Sequence, residues 1–221
     1  MRTISFIASL LLITYTASAQ FMSTTENSGS SDNDFYDRIE ISYNPISLDG
    51  KFIDWDLKGI TVGQVIGFNV TNQPLFIEIG GRLTYATRET SDTIYICDGF
   101  DVYNSKLFIN SKFIQISVPI NVVYKFTLSD DWSIAPFAGL VAKGNIFGET
   151  ETEYEFWDMK VKESWFDKRG MDANRFQAGW NIGVGANYKN FYLGVSYGAD
   201  FIELADNIDT SNYAITFGYS F

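Results

Sequence analysis

The feature that most constrains this chain is the alternation in Asn212-Tyr-Ala-Ile-Thr-Phe-Gly-Tyr-Ser-Phe221. Tyr213, Ile215, Phe217, Tyr219 and Phe221 are large and apolar, while Ala214, Thr216, Gly218 and Ser220 are small or weakly polar. A period of two is what a strand with one apolar face requires, because successive side chains leave opposite faces. Soluble domains usually end in polar segments that fray. A strand tipped with an aromatic residue instead suits a closed sheet, in which the last strand pairs with the first and no edge remains.

Seven further stretches carry the pattern. Ile39, Ile41 and Tyr43 alternate with Arg38, Glu40 and Ser42 in 36–45, and Ile60, Val62, Ile66, Phe68 and Val70 form one face of 59–70. Leu75, Ile77, Ile79, Leu83 and Tyr85 do the same in 75–88, and Ile114 to Val122 in 107–125. In the latter, Pro119 has no N–H to give a ladder, so a bulge or kink is expected there. Pro136 and Ala138 blur the fifth stretch, 132–143, whereas 176–188 and 191–200 alternate cleanly. The connections run long, short, long, short, long, short, long. In an up-and-down sheet this puts three tight turns at one rim and four longer loops at the other, the pattern of outer-membrane barrels with periplasmic termini.

The polar face decides between a soluble and a membrane barrel. A soluble barrel covers its exterior with charged residues. Here the polar face is mostly Gly, Ser, Thr, Asn and Gln, which suit the narrow interior of eight strands, and the aliphatic face suits lipid. Phe68, Tyr85, Trp132, Phe176, Tyr188, Tyr213 and Phe221 sit near strand ends on the apolar face, where aromatic rings meet the headgroup boundary. The fold expected is all-β: an eight-stranded antiparallel up-and-down transmembrane β-barrel.

The start of the chain fits that destination. Met1-Arg2, an apolar run from Ile4 to Ile13 and Ala17-Ser18-Ala19 read as a signal peptide over 1–19. A polar, aperiodic tail on the periplasmic side is expected over 20–35, then the barrel over 36–221. With 27 acidic and 16 basic residues, the chain lacks the basic footprint of a nucleic-acid binder. Cys97 is the single cysteine and there is no histidine, which excludes internal disulfides, cysteine metal clusters and Ser–His or Asp–His devices. Asp130-Asp131 lie at a turn on the rim away from the loops. No cofactor is implied and no catalysis is expected.

Two constellations remain. Glu40, Glu78, Arg82, Arg88, Lys143 and Arg175 share inward parity, and buried charges must pair. They are expected to form a lumen network that fills the barrel and fixes its register, the alternative being a charged gate in a narrow channel. Between Glu149 and Lys162, acidic residues recur at every second position, followed by Lys160 and Lys162. A turn at Trp157-Asp158 would place Glu155 opposite Lys160 and Glu153 opposite Lys162, with Tyr154 facing Val161. Strands five and six would then extend beyond the membrane as a hairpin. Glu153, Tyr154, Glu155, Phe156, Trp157, Lys160, Lys162 and Trp165 would offer a partner, outside the cell or in a membrane complex, an edge for strand addition. The carboxylates lack the loop spacing of a calcium site.

The signal site, Gln115-Ile-Ser-Val-Pro-Ile120, Trp180-Asn-Ile-Gly-Val-Gly185 and the Phe221 ending resemble the small outer-membrane β-barrel family (OmpA/OmpX-like porin-family proteins), particularly its Bacteroidota versions. No catalytic motif takes part in the resemblance. It implies a place in the outer membrane of a Gram-negative bacterium, contact with outer-membrane lipid, and roles in structure, interaction or assembly. A narrow channel or an accessory subunit of a transport or secretion complex is the other implication. The resemblance also implies that Tyr213, Phe217, Tyr219 and Phe221 serve as the C-terminal signal read by barrel-assembly machinery.

Overall fold

The structure, a computed structural model, describes residues 35–51, 53–71, 73–98, 101–157, 159–168 and 171–221. The expected signal peptide, the tail up to residue 34 and the side chain of Cys97 lie outside the described residues.

Among the described residues, eleven strands follow in chain order: β1 (Phe35–Tyr43), β2 (Ile46–Gly50), β3 (Ile53–Asn69), β4 (Leu75–Asp98), β5 (Asp101–Tyr124), β6 (Phe126–Thr127), β7 (Trp132–Tyr154), β8 (Met159–Ser164), β9 (Phe176–Tyr188), β10 (Phe191–Asp200) and β11 (Ile208–Ser220). β1 and β2 act as one strand. Tyr43 pairs with Ile60 and Ile46 with Leu57, a single register interrupted at Asn44-Pro45. That strand pairs on its other side with β11, from Arg38 opposite Ser220 to Gly50 opposite Ile208. The remaining ladders run β3–β4–β5–β7–β9–β10–β11, so eight strands close on themselves, all antiparallel.

The faces fall as the alternation requires. Ile41, Ile60, Ile120, Leu193 and Phe217 are about half exposed on the outside, and Thr61, Thr84, Asn121 and Gln177 are buried in the lumen. Burying the polar side and exposing the aliphatic side is stable only where the exterior is hydrocarbon. Aromatic pairs mark the rim of short turns, among them Trp132–Tyr188 at 4.7 Å and Phe191–Tyr219 at 5.5 Å between ring centroids. Toward the other end, Tyr197 contacts Trp180 at 5.7 Å and Tyr213 at 5.0 Å.

Three features correct the sequence expectations. Pro119 produces no register shift: Ile79 pairs with Ile120 and Arg82 with Ser117, and Pro119 itself lies opposite Val141. The ladder simply skips the Gly80-Gly81 step facing it. The bulge lies instead where Ile114 pairs with Phe147 but Gln115 pairs with Asn145, leaving Ile146 as the extra residue. Below it, odd-numbered Lys143 and Asn145 point inward; above it, even-numbered Gly148 does.

The stretch 89–106, expected as a connection, is largely strand, and within 144–173 the expected hairpin is present as the end of β7 paired with β8. β4 and β5 have 24 residues each and β7 has 23, whereas roughly 9–11 suffice to span a bilayer. β3 accompanies β4 only as far as Lys58 opposite Thr87. Past that point β4, β5, β7 and the added β8 rise from the barrel as a sheet of their own.

Candidate functional site: the packed lumen and the protruding sheet

The lumen is solid, in layers. At the short-turn rim the Arg38 guanidinium donates from Nε to Glu40 (2.8 Å) and from Nη2 to Glu78 (2.9 Å). Arg82 Nη2 donates to the second oxygen of Glu40 at 3.0 Å, and the Tyr36 hydroxyl donates to Glu78. The face of Tyr192 covers Arg38, whose Cζ lies 3.8 Å from the ring centroid. Arg38, Glu40 and Glu78 are each 3% exposed, so in this cluster every charge depends on its partners.

The glycines make room for this arrangement. A Cβ added at Gly185 or Gly194 would enter the Tyr192 ring, and one at Gly67 would enter the ring of Tyr36. The Gly-rich strand that supports the family resemblance therefore has a steric duty: it leaves space for an inward aromatic that holds Arg38.

Hydroxyls and amides fill the middle of the barrel. Ser42 meets Thr216 at 2.9 Å and Thr61 meets Thr84 at 2.8 Å. Asn145 bridges Gln115 and Gln177, and Gln177 donates to Thr210 at 2.9 Å. Lys143 pairs with Asp200 at 2.8 Å, and the Thr210 hydroxyl donates to the same carboxylate. A cavity of about 50 Å³ remains among these groups, far short of a solute path. Above it the mouth is apolar: Leu48, Leu57, Ala86, Phe113, Trp165, Leu204 and Ile208 form one buried cluster.

Of the six charges expected in one network, the structure joins Glu40, Glu78 and Arg82, and gives Lys143 a separate partner. Arg88 and Arg175 belong to neither. Arg88 lies on β4 beyond its ladder with β3 and stacks on Trp55 at 5.0 Å. Arg175 precedes β9, is exposed, and lies over Phe166 at 4.3 Å. Arg88 keeps the inward parity of Thr84 and Ala86 but stands above the charged layer, and Arg175 lies outside the strand. Arg38, Tyr36, Tyr192 and Asp200 complete the two networks without having been singled out. For Tyr192 a signal existed, since it is the one large inward side chain in a strand otherwise lined by Gly194, Ser196 and Gly198.

The hairpin of β7 and β8 has a different register from the one expected. Glu153 lies opposite Lys160, Glu151 opposite Lys162 and Thr152 opposite Val161. The shift of two arises because the turn contains a 3₁₀ segment, Glu155–Trp157, rather than a two-residue bend. Glu155 consequently has no lysine opposite and accepts from the Lys106 backbone N–H at 3.3 Å. Tyr154 is opposite Met159, not Val161. Ion pairs Lys160–Glu153 and Lys162–Glu151, both 2.8 Å, run along the outward face.

Trp165 also departs from expectation. It is 2% exposed, stacks on Phe113 at 5.2 Å and donates from Nε1 to Thr150, so it seals the mouth rather than offering a partner surface. A Cβ on Gly148 would stand 2.8 Å from its ring, which fixes how closely the segment after β8 can lie on the sheet. The exposed aromatics gather at the tip instead. Tyr103 lies 5.8 Å from Phe156, Phe156 5.5 Å from Trp157, and Tyr154 5.8 Å from Trp157. Tyr95 is 72% exposed on the same sheet. Lower down, Glu89, Ser91, Phe108, Asn110, Glu151 and Glu153 flank a groove of about 470 Å³.

The hairpin has a defined pH response. The hydrogen bond from Lys162 holds the Glu151 carboxyl below its ordinary range, and the bond to Glu151 raises Lys162. A depressed carboxyl stabilises the fold above its unfolded pKa and loses that contribution as pH falls through the folded one. A raised ammonium stabilises below its unfolded pKa and loses it as pH rises through the folded one. Amide exchange protection over 149–164 is therefore expected to be flat near neutrality and to fall in acid below the carboxylate range. Protection absent at neutral pH would contradict the hairpin.

A sequence profile described as "Outer membrane protein beta-barrel domain" matches residues 6–221. Among curated protein sequences, none matches the chain. Among solved structures, Ail, the attachment invasion locus protein of Yersinia pestis, in complex with the heparin analogue sucrose octasulfate, is similar over 85% of this chain and 99% of its own, at 15% identity and a TM-score of 0.50. Neisserial surface protein A is similar over 84% and 95%, at 11% identity and 0.46. The outer membrane enzyme PagL follows over 81% and 98%, at 13% identity and 0.45. At these identities the likeness is one of fold. The family match spans nearly the whole chain and agrees with the inside-out barrel, and the chain belongs to the outer-membrane protein β-barrel domain family of Gram-negative outer membranes.

Proposed function

We propose that this protein is a structural and interaction barrel of the outer membrane, whose working part is the protruding sheet. The carrying observation is that β4, β5 and β7 continue far past the length a bilayer needs and add β8, ending in exposed Tyr95, Tyr103, Phe156 and Trp157. Aromatic side chains bury much area at low entropic cost and dominate interface energetics. A sheet built only to close a barrel has no use for that tip. The edges differ: β8 alternates Lys160 and Lys162, which discourage pairing, while β4 from Glu89 to Ile94 has no lysine and sets Glu89 and Asp92 among Thr90, Ser91, Thr93 and Ile94. Strand addition is accordingly assigned to the β4 edge, with the aromatic tip as anchor.

The packed lumen supports the closed reading over the channel reading, because the ion-pair layer and the apolar mouth lie on either side of the small central cavity. Without histidine, no acyl-transfer device of the Ser–His kind is available, and the protein is proposed to be non-catalytic. The termini and short turns are assigned to the periplasm, the sheet to the cell exterior. Tyr213, Phe217, Tyr219 and Phe221, on the lipid face of β11, are assigned to recognition by assembly machinery.

Labelling of intact cells with an impermeant amine reagent tests the orientation. Lys160 and Lys162 are expected to react, and Lys189, at the short-turn rim, only after the envelope is opened. The reverse pattern would invert the assignment.

A further inference from the structure

The lumen opens at the short-turn rim into a vestibule of about 80 Å³, lined by Tyr36, Arg38, Lys125, Asn187, Lys189 and Ser220. Its charge is opposite to that of the chain. The protein carries a formal net charge of −11, yet Arg38 and Lys125 face each other in this cavity and Lys189 lies at its lip.

Lys125 is the informative one. It follows β5 with the inward parity of Asn121 and Val123, and it is half-buried. Among the described residues its ammonium has no carboxylate partner. The charge near enough to act on it is the guanidinium of Arg38; burial first, then that like charge, hold the ammonium below the ordinary lysine range. A half-buried cation facing another cation is costly unless an anion joins them. Arg38 spends Nε and Nη2 on Glu40 and Glu78, and among the described residues its Nη1 has no hydrogen-bond acceptor. Lys189 stands at the lip, where its backbone N–H donates to the Asp131 carbonyl at 2.9 Å and its ammonium lies 5.6 Å from the centroid of the Tyr188 ring. Asn187 is an inward amide of β9 beside it. Convergent cations, an amide and a hydroxyl in a small concave space are what recognition of an oxyanion requires.

We propose that this vestibule binds one phosphate or carboxylate group, held between Lys125 and the Nη1 side of Arg38, with Lys189 at the lip able to swing onto it. The volume fits a single such group. The chemistry is shared by a soluble anion and by the headgroup of a phospholipid at the periplasmic boundary, and the two are separable. The site is independent of the protruding sheet, so either reading can fail without the other.

Calorimetric titration of the refolded mature chain in a non-ionic detergent with inorganic phosphate tests the site. Saturable one-to-one binding is expected, weakened at least tenfold in Lys125→Gln and unchanged in Lys160→Gln. Lys189→Gln, in an exposed turn, should weaken binding severalfold and serves if Lys125→Gln does not assemble. Wild-type heat that never saturates, or binding unaltered by both vestibule variants, overturns the proposal. Repeating the titration in phosphatidylglycerol nanodiscs identifies the source. Equal affinity assigns a soluble anion, and affinity lost to competition by the bilayer assigns a lipid headgroup; both outcomes support the site.

Discussion

Glu40→Ala is expected to cost the barrel about 3–5 kcal/mol, the usual penalty for removing one partner of a buried ion pair. Glu40 accepts from both Arg38 and Arg82, so its loss leaves one guanidinium with a single carboxylate and the other with none. Arg38, 3% exposed, cannot reach water easily, whereas the Arg82 side chain is 21% exposed and is left partly solvated. The effect reads as a large drop in the urea midpoint of the barrel refolded in liposomes. Replacing Arg38, Glu40, Glu78 and Arg82 together by uncharged residues of similar volume is expected to cost much less than Glu40→Ala alone, because no uncompensated charge remains. Equal losses in the two variants would mean that packing, rather than pairing, holds this layer.

The second large effect concerns the sheet. Phe156→Ala combined with Trp157→Ala is expected to reduce partner affinity by about 2 kcal/mol or more, roughly thirtyfold, as anchors in an interface do. Barrel stability should be nearly unchanged, since both rings are about half exposed and lie far from the lumen. Phe217→Ala, on the lipid face of β11, should leave partner affinity untouched. A partner held equally well by the double variant would move the binding surface elsewhere.

The closed barrel was legible in the sequence because a period of two carries through strands such as 176–188 and 212–221, and membrane burial leaves one face uniformly apolar. What was hidden depends on counting residues in places where periodicity is silent. The extra Ile146 reverses the faces of everything that follows it in β7. Glu149, Glu151 and Glu153 thereby look outward toward Lys160 and Lys162, while Gly148 faces the ring of Trp165. Alternation cannot reveal a bulge from inside one strand. The hairpin register moved by two because a 3₁₀ turn and a two-residue bend are both compatible with Glu-Phe-Trp-Asp. The lumen network was half legible. Glu40, Glu78 and Arg82 share a face and a height, but Arg88 shares only the face and Arg175 stands exposed before β9. Stagger between neighbouring strands, which sets height, is fixed by pairings far apart in sequence, such as Arg38 with Ser220. Lys125 escaped notice because a lone lysine after a strand reads as surface, and its isolation emerges only when β1, β5 and β9 are brought together.

The protruding sheet is proposed as the functional part of an otherwise sealed barrel. Photo-cross-linking in intact cells from a probe placed at Phe156, with the same probe at Leu193 on the lipid face as control, tests this most directly. A discrete protein adduct formed from position 156, and absent from position 193, is the result the account predicts. No adduct from the tip, or the same adducts from both positions, would contradict it.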